Sequence, residues 1–222
     1  MRLLRVALAA LGIVLSAGAA AQERFDMKVR EDLFAGMDGD DAAFARAMTL
    51  IDETLAQQPD HAEALVWRGA ARLFRSGGLF RKAEFAGAIT LSQQGLADMD
   101  RAVMLAPDKI GVLVPRATAL LPYAKFLPDP IVSRRLTETA IGDFEKVIAI
   151  SQAIWPQLSV HARGELMGGL AEGLLRIGET ERANTLLTRM MGELPDSAYA
   201  RQAQKRLANP AGRDPLSCLG CH

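Results

Sequence analysis

Cysteine is almost missing from this sequence. Its 222 residues include two cysteines, Cys218 and Cys221, both among the last five positions. A pair so close together closes only a very short loop, so it cannot be a disulfide framework for the core. Aromatic residues make up 5% of the chain, and runs that alternate Val, Ile and Thr with polar residues are missing. The core therefore has to come from aliphatic packing between helices.

The first 21 residues have the layout of a secretory signal peptide. Arg2 and Arg5 form a short basic region, and an apolar run follows from Val6 to Leu15. Small residues come next, with Ala19 and Ala21 at the positions that precede cleavage. A retained membrane anchor is the alternative, but the run is shorter than the roughly 20 residues of a spanning helix. We therefore predict cleavage after residue 21 and a periplasmic or secreted protein.

A net charge of one sign is also missing. The chain has 26 basic and 26 acidic residues, and removal of the first 21 residues leaves 24 basic residues against the same 26 acidic ones. Binding to a phosphate backbone needs a basic surface, so nucleic acid is excluded as a partner. No later hydrophobic run is long enough to span a bilayer, so we expect no membrane span after signal cleavage.

Apolar residues recur at steps of three and four throughout the rest of the chain, which predicts an all-α protein. The clearest unit runs from Gly164 to Asp196. Its first helix is expected to close at Gly178, and Pro195 ends the unit after a second helix. The apolar positions are Met167, Leu170, Ala171 and Leu174 on the first helix and Ala183, Leu187 and Met190 on the second.

This unit resembles a tetratricopeptide repeat, which is a pair of antiparallel helices about 34 residues long. The resemblance implies a solenoid of antiparallel helix pairs, in which each pair buries its apolar face by stacking on its neighbours. A generic helical bundle is the alternative. The expected division is a signal peptide at 1–21, an N-terminal lead-in at 22–40, the repeat domain at 41–207, a linker at 208–217 and a tail at 218–222.

Two of the units are irregular. In the second unit we predict a turn at 76–78 and an insertion around residues 80–94, in the form of an extended or extra helix. In the third unit, Pro115 is expected to kink the first helix or to reset its start. Three prolines predict a loop over residues 122–130. A final helix near 197–207 is expected to cap the array.

The sequence ends in Cys218-Leu219-Gly220-Cys221-His222. At this spacing two thiols attach covalently to a c-type haem, and the adjacent imidazole binds the iron. We therefore predict one covalent haem c held by Cys218 and Cys221, with His222 as an axial ligand. The alternatives are a redox-active cysteine pair, a metal site, and a motif that is never loaded or is cut from a longer cytochrome.

A second axial ligand is not evident in the sequence. Only a linker precedes the motif and nothing follows it, so we expect this ligand from the helical domain or from another protein, with water as an alternative. Methionine at helical spacing is usually a core residue, and a lone loop histidine is usually solvated. The candidates are His61, His161 and eight methionines after Met1, of which Met190 and Met191 lie nearest in sequence to the tail.

No catalytic constellation is present, since phosphate-binding glycine loops and HExxH are missing and carboxylates occur singly along helices. We expect a non-enzymatic scaffold that binds a protein through its concave face and transfers electrons with a redox partner. An interaction adaptor without haem, and a helper in export or cytochrome assembly, are the alternatives. The expected inward positions are Glu63, Val66, Ala70, Gly111, Val114, Thr118, Glu165, Gly168 and Glu172, some of which would pack against the next repeat.

Overall fold

The computed structural model describes residues 24–217, and within this range the chain forms helices and turns but no strand. The all-α prediction is confirmed. None of the described helices is both long and apolar enough to cross a bilayer. The helices are α1 (Phe25–Met37), α2 (Asp41–Gln57), α3 (Ala62–Arg81), α4 (Phe85–Leu105), α5 (Ile110–Lys125), α6 (Pro130–Ile150), α7 (Val160–Ile177), α8 (Thr180–Glu193) and α9 (Ala198–Ala208), with a 3₁₀ helix at Gln152–Gln157.

Successive helices pack in pairs, and the pairs stack in chain order. The two helices of each unit are in extensive contact, α1 with α2, α3 with α4, α5 with α6 and α7 with α8, and α9 closes the array on α8. Between pairs, α3 packs on α1 and α2, α5 on α3, and α7 on α5 and α6. The substantial contacts of the described chain are therefore all between neighbours in the series, as in a helical repeat array.

The predicted lead-in contains a helix of the array. Helix α1 buries Val29 and Leu33 completely. Its Phe34 ring lies edge-on to Trp67 of α3, with 6.4 Å between the ring centroids. The next helix starts where Asp40 accepts hydrogen bonds from the first backbone N–H groups of α2, as an N-cap does. The first unit therefore has both of its helices, α1 and α2.

The turn predicted at residues 76–78 is wrong, because α3 continues through them to Arg81. Ser76 is fully buried, and its hydroxyl donates to the Leu73 carbonyl of the same helix at 2.8 Å, so its polar group has a partner without leaving the helix. The chain turns later, at Ala83, which has a left-handed φ of 61°. The expected insertion thus takes the form of two long helices, α3 with 20 residues and α4 with 21.

Prolines in the third unit interrupt less of the chain than expected. Helix α5 starts at Ile110 and keeps Pro115 inside it, so this proline does not reset the start. The same helix also continues through Pro122, and the predicted loop over 122–130 shrinks to residues 126–129. Helix α6 begins at Pro130, because a first helical position needs no N–H donor and the Asp129 side chain caps the next two residues.

An arginine–aspartate pair recurs inside the second and third units. Arg68 of α3 donates two hydrogen bonds to Asp98 of α4, at 2.9 and 2.8 Å. Arg116 of α5 does the same to Asp143 of α6, with both distances 2.7 Å. Burial raises the pKa of Asp143, although the Arg116 guanidinium opposes this effect. Each pair joins the first helix of a unit to its second helix. The two units therefore share a buried ion pair as well as their apolar positions.

The ends of α7 and α9 agree with the sequence. Helix α7 closes at Gly178, which has a left-handed φ of 87° that favours glycine. The final helix was expected near 197–207, and α9 spans Ala198–Ala208. The 3₁₀ helix before α7 was not predicted, and its buried Trp155 donates a hydrogen bond to Glu193 of α8 at 2.7 Å.

Candidate functional site

The predicted linker is packed against the helical body. After α9 the chain turns, and the Gly212 N–H donates to the Asn209 carbonyl at 2.9 Å. The Arg206 guanidinium donates to the Asp214 carbonyl. Leu216 is fully buried and belongs to the main hydrophobic core. We call residues 209–217 the return segment, because they fold back onto the array.

The return segment lies in a groove that only glycine leaves open. A Cβ atom on Gly168 of α7 would stand 1.9 Å from the Leu216 carbonyl oxygen and 3.3 Å from the Ser217 nitrogen. Val66 of α3 and Val114 of α5 hold the matching inward positions of the earlier units. Gly168 was among the expected inward positions, and the structure fills the space beside it with this chain's own backbone.

The return segment runs towards the start of α7. Helix α9 begins beside the first turns of α7, because the Tyr199 ring packs on Gly164, where a Cβ would meet the ring at 2.4 Å. Arg206, near the end of α9, donates to the Asp214 carbonyl of the return segment, and two residues later Leu216 lies against Gly168 in the middle of α7. The chain therefore heads from the last turn of α9 towards the first turns of α7.

The predicted haem-binding residues Cys218, Cys221 and His222 lie outside the described residues. The structure describes the chain up to Ser217, the residue that precedes Cys218. Ser217 follows the buried Leu216 directly, and its backbone nitrogen is close to Gly168. The described chain therefore ends beside α7, one residue before the motif.

A polar cluster lies on the first turns of α7, before Gly168. The Tyr199 hydroxyl of α9 donates to the Glu165 carboxylate at 2.6 Å and lies 2.8 Å from Nδ1 of His161. The Tyr199 ring is buried, whereas His161 is exposed to solvent. His161 and Glu165 are four residues apart, so they share one face of the helix with Gly168.

The cluster sets which nitrogen of His161 carries the proton. An ionised carboxylate only accepts hydrogen bonds, so the single hydroxyl hydrogen of Tyr199 goes to Glu165. The Tyr199 oxygen then accepts from the N–H at Nδ1 of His161. The Tyr199 hydroxyl therefore links the His161 ring of α7 to the Glu165 carboxylate one turn further along the same helix.

The other predicted axial-ligand candidates are placed differently. His61 caps α3, and its Nδ1 accepts a hydrogen bond from the Ala64 N–H at 3.1 Å, so the proton of the neutral ring is on Nε2. Its ring also lies 4.9 Å from that of Phe25, far along the array from the return segment. Met190 is completely buried in the core, and Met191 is partly buried on α8.

The expected inward positions are mostly covered by the next unit. Glu63 is 9% exposed and binds Lys109 at 2.9 Å, across to the start of α5. Val66 and Ala70 are buried in the core. Thr118 is exposed, and the remaining inward residues are partly covered except for Gly168, which is buried. The face of the first helices is therefore a packed surface with limited open area.

Neither a metal-ligand cluster in the described chain nor a similar known protein points to a function. Within residues 24–217, no group of three or more His, Cys, Asp and Glu side chains is arranged to hold a metal ion. Comparisons of the chain with protein-family models, curated proteins and solved structures found no match. A functional assignment therefore has to rest on the residues of this chain.

Sequence reasoning missed the packing of the return segment. Leu216 is a single apolar side chain in a stretch rich in proline, glycine and polar residues, which is typical of a linker. A usable signal was present in α7, where Gly168 replaces the valines of the earlier units. A small residue at an otherwise apolar position indicates the close approach of another backbone.

Proposed function

We propose that the protein is an exported, tetratricopeptide-like scaffold that binds a protein partner and carries one covalent c-type haem. Cys218 and Cys221 would hold the haem through two thioether bonds, formed when each thiol adds across a vinyl group, and His222 would bind the iron. When bound, the haem supplies a one-electron redox centre. Support comes first from the motif Cys218-Leu219-Gly220-Cys221-His222 in a sequence that has no other cysteine.

The observation that carries this proposal in the structure is the packed return segment. Leu216 is buried and Gly168 leaves room for its backbone, so the chain is held on the folded body up to Ser217, the residue before Cys218. The described residues nearest to the motif in sequence lie beside α7, where the exposed His161 has its Nδ1 2.8 Å from the hydroxyl of the buried Tyr199. A haem attached at this place would be presented at one end of the array, where a redox partner has access to it.

The helical body would contribute the partner surface. Arrays of stacked helix pairs curve, and their first helices line a face that commonly binds other proteins. In this chain Thr118 and Glu172 are among the inward residues that keep solvent contact, and Glu172 pairs with Arg176 at 3.1 Å. The chain has no excess of basic residues, which fits a protein partner and not a nucleic acid.

Haem staining of a denaturing gel tests the proposal. The full sequence, with residues 1–21, is expressed in a host that has c-type haem maturation machinery. We expect a stained band at the mass of the processed chain, because thioether bonds survive denaturation. Staining should disappear in the Cys218→Ala/Cys221→Ala variant and remain in Ser217→Ala. A colourless wild-type band, from cells that load a control cytochrome, would contradict haem attachment and favour the adaptor function.

A further inference from the structure

We propose that the turns inside the second and third units dock the protein onto a bilayer surface that is rich in anionic lipid. We call these two turns, together with the helix ends that flank them, the basic tips. Their exposed apolar and cationic residues are Arg81, Lys82, Phe85 and Ile89 in the second unit and Lys125, Phe126, Ile131 and Arg135 in the third. This inference does not depend on the haem.

The two basic tips lie at the same end of the array. Each tip joins the first helix of a unit to its second helix, and the first helices α3 and α5 pack on each other. Glu63 at the start of α3 binds Lys109 at the start of α5, so the two helices run in the same direction. Their last residues, Arg81 and Lys125, therefore belong to neighbouring turns on one side of the molecule.

Large apolar side chains are exposed on both tips. Ile131 is 78% exposed and Phe126 is 74% exposed, in the third unit. In the second unit Phe85 is 59% exposed, and Ile89 follows it four residues later on the same face of α4. Contact of this apolar surface with water is unfavourable, and insertion of the side chains by about 5–10 Å into the interface of a bilayer would remove it.

The tips also have an excess of positive charge. None of their four cations forms an ion pair or a side-chain hydrogen bond within residues 24–217. Two carboxylates are nearby, Glu84 in the first turn and Asp129, which caps α6, in the second. Arg134 and Glu138 pair with each other and add no net charge. Cations beside exposed apolar residues are typical of a surface that binds anionic lipid.

The other ends of the units lack this combination. The turns of the first and fourth units contain the acidic residues Asp38, Asp40, Asp41 and Glu179. At the opposite end of the array Met104 is 77% exposed, but the cations there are paired, Lys109 with Glu63 and Arg101 with Asp60. Among the four turns inside units, exposed large apolar side chains and unpaired cations therefore coincide in the two basic tips.

These features favour a lipid surface over an acidic protein. The apolar side chains stand on two separate turns, and a fluid bilayer accepts them without pockets at a matching spacing. The contact would stay at the surface, because none of the described helices is both long and apolar enough to cross a bilayer.

Binding to lipid vesicles tests the proposal. Wild type and variants are compared at the same verified mass, because an uncleaved apolar run at residues 6–15 would bind lipid by itself. We expect binding to vesicles of phosphatidylglycerol and phosphatidylcholine in equal parts, which weakens as salt rises, and little binding to phosphatidylcholine alone. Phe85→Ser/Phe126→Ser should bind the mixed vesicles at least about tenfold more weakly. Met104→Ser is the matched control at the opposite end and should bind as the wild type does.

Tryptophan fluorescence locates the contact directly. In Phe126→Trp we expect the emission to shift to shorter wavelength when mixed vesicles are added, because the indole leaves water. The emission of Met104→Trp should not shift. Trp67 and Trp155 are buried and are common to both variants, so the difference between them reports the new side chain. Circular dichroism verifies that both variants are folded, which is expected because both positions are exposed.

Several outcomes would overturn the proposal. Absence of binding to the mixed vesicles is one, and unchanged binding of Phe85→Ser/Phe126→Ser is another. Equal binding to phosphatidylcholine alone would overturn the preference for anionic lipid. A wild type that dimerises, with a Phe85→Ser/Phe126→Ser variant that stays monomeric, would assign the tips to a second copy of the chain instead. None of these results changes the haem stain, so the two proposals can fail separately.

Discussion

At the residue scale, Glu193 illustrates how polar contacts overcome burial. Partial burial alone would raise the pKa of this carboxyl. The hydrogen bonds that it accepts from Arg189 at 2.6 Å and from Trp155 at 2.7 Å outweigh that effect, and the pKa is lowered from its ordinary 4.5. The ionised form therefore ties the 3₁₀ helix to the end of α8 through the bond from Trp155, while the bond from Arg189 lies within α8 and holds the carboxylate in place.

The lowered pKa predicts a pH dependence of stability. A carboxyl whose pKa is lower in the folded state stabilises it fully above the unfolded value of 4.5, and this contribution is lost as pH falls through the folded pKa. We expect Glu193→Gln to be less stable than the wild type near neutral pH, with a difference that shrinks below about pH 4. Urea denaturation across this pH range measures it, with the exposed Glu181→Gln as control. A difference that stays constant on acidification would contradict this account.

Gly168 is a residue at which a single methyl group should displace the return segment. A methyl group here would stand 1.9 Å from the Leu216 carbonyl oxygen, so Gly168→Ala should push the return segment off the groove. We expect the amides of residues 209–217 to lose protection from hydrogen exchange. The stability of the fold should fall by about 1–2 kcal/mol, because exposing Leu216 outweighs the better helix propensity of alanine.

A matched control exists in α6. Gly142 is also inside a helix, but a Cβ there would meet nothing within 4 Å. Gly142→Ala should therefore stabilise the protein by about 0.5–1 kcal/mol and leave exchange in the return segment unchanged. Unchanged protection of residues 209–217 in Gly168→Ala would show that the segment does not need the glycine.

At the element scale, α5 contains a proline that it does not need for packing. Pro122 is exposed, and it lies in the last turns of the helix, where its ring removes one backbone N–H donor. Pro122→Ala should restore a hydrogen bond to the carbonyl four residues earlier and stabilise the protein by about 1–2 kcal/mol. Pro128→Ala, in the loop before α6, should bring no such gain. Urea denaturation of both variants decides between these outcomes.

The elements also show which sequence signals were sufficient. The end of α7 at Gly178 could be predicted, because a left-handed glycine cap depends only on local backbone. The turn at 76–78 could not be judged locally, since Ser76 and two glycines are turn-formers that the packing of α3 on α4 holds in a helix.

In the candidate site too, the sequence identifies some residues, and other features depend on contacts between distant parts of the chain. The thiols and His222 are readable from their spacing, and His161 could be named as one of three histidines. The orientation of its ring depends on Tyr199, which is 38 residues away in sequence. The buried position of Leu216 depends on Gly168, which belongs to α7 and lies 48 residues earlier in the sequence. Contacts of this kind leave no periodic pattern, so they require the folded structure.

At the scale of the whole molecule, the array has neighbour contacts and little else among its described helices. Stability in such an array is a sum of unit and interface terms, so damage at one end should stay near that end. Ala203 is fully buried in α9, and Ala203→Asp places an unpaired charge there. We expect loss of hydrogen-exchange protection in α7–α9 and the return segment, with α1–α4 close to the wild type. A uniform loss along the chain would indicate one cooperative unit.

The return segment also has a consequence for competition. The return segment is tethered to α9, so the groove beside Gly168 meets Leu216 at an effective concentration of the order of millimolar. This concentration does not depend on the concentration of the protein. A partner that inserts its own apolar residue beside Gly168 has to outcompete Leu216 on those terms. Dilution alone will not empty the groove. Cleavage of the chain between Ala208 and Leu216 would turn the same contact into a bimolecular one, which dilution would then separate.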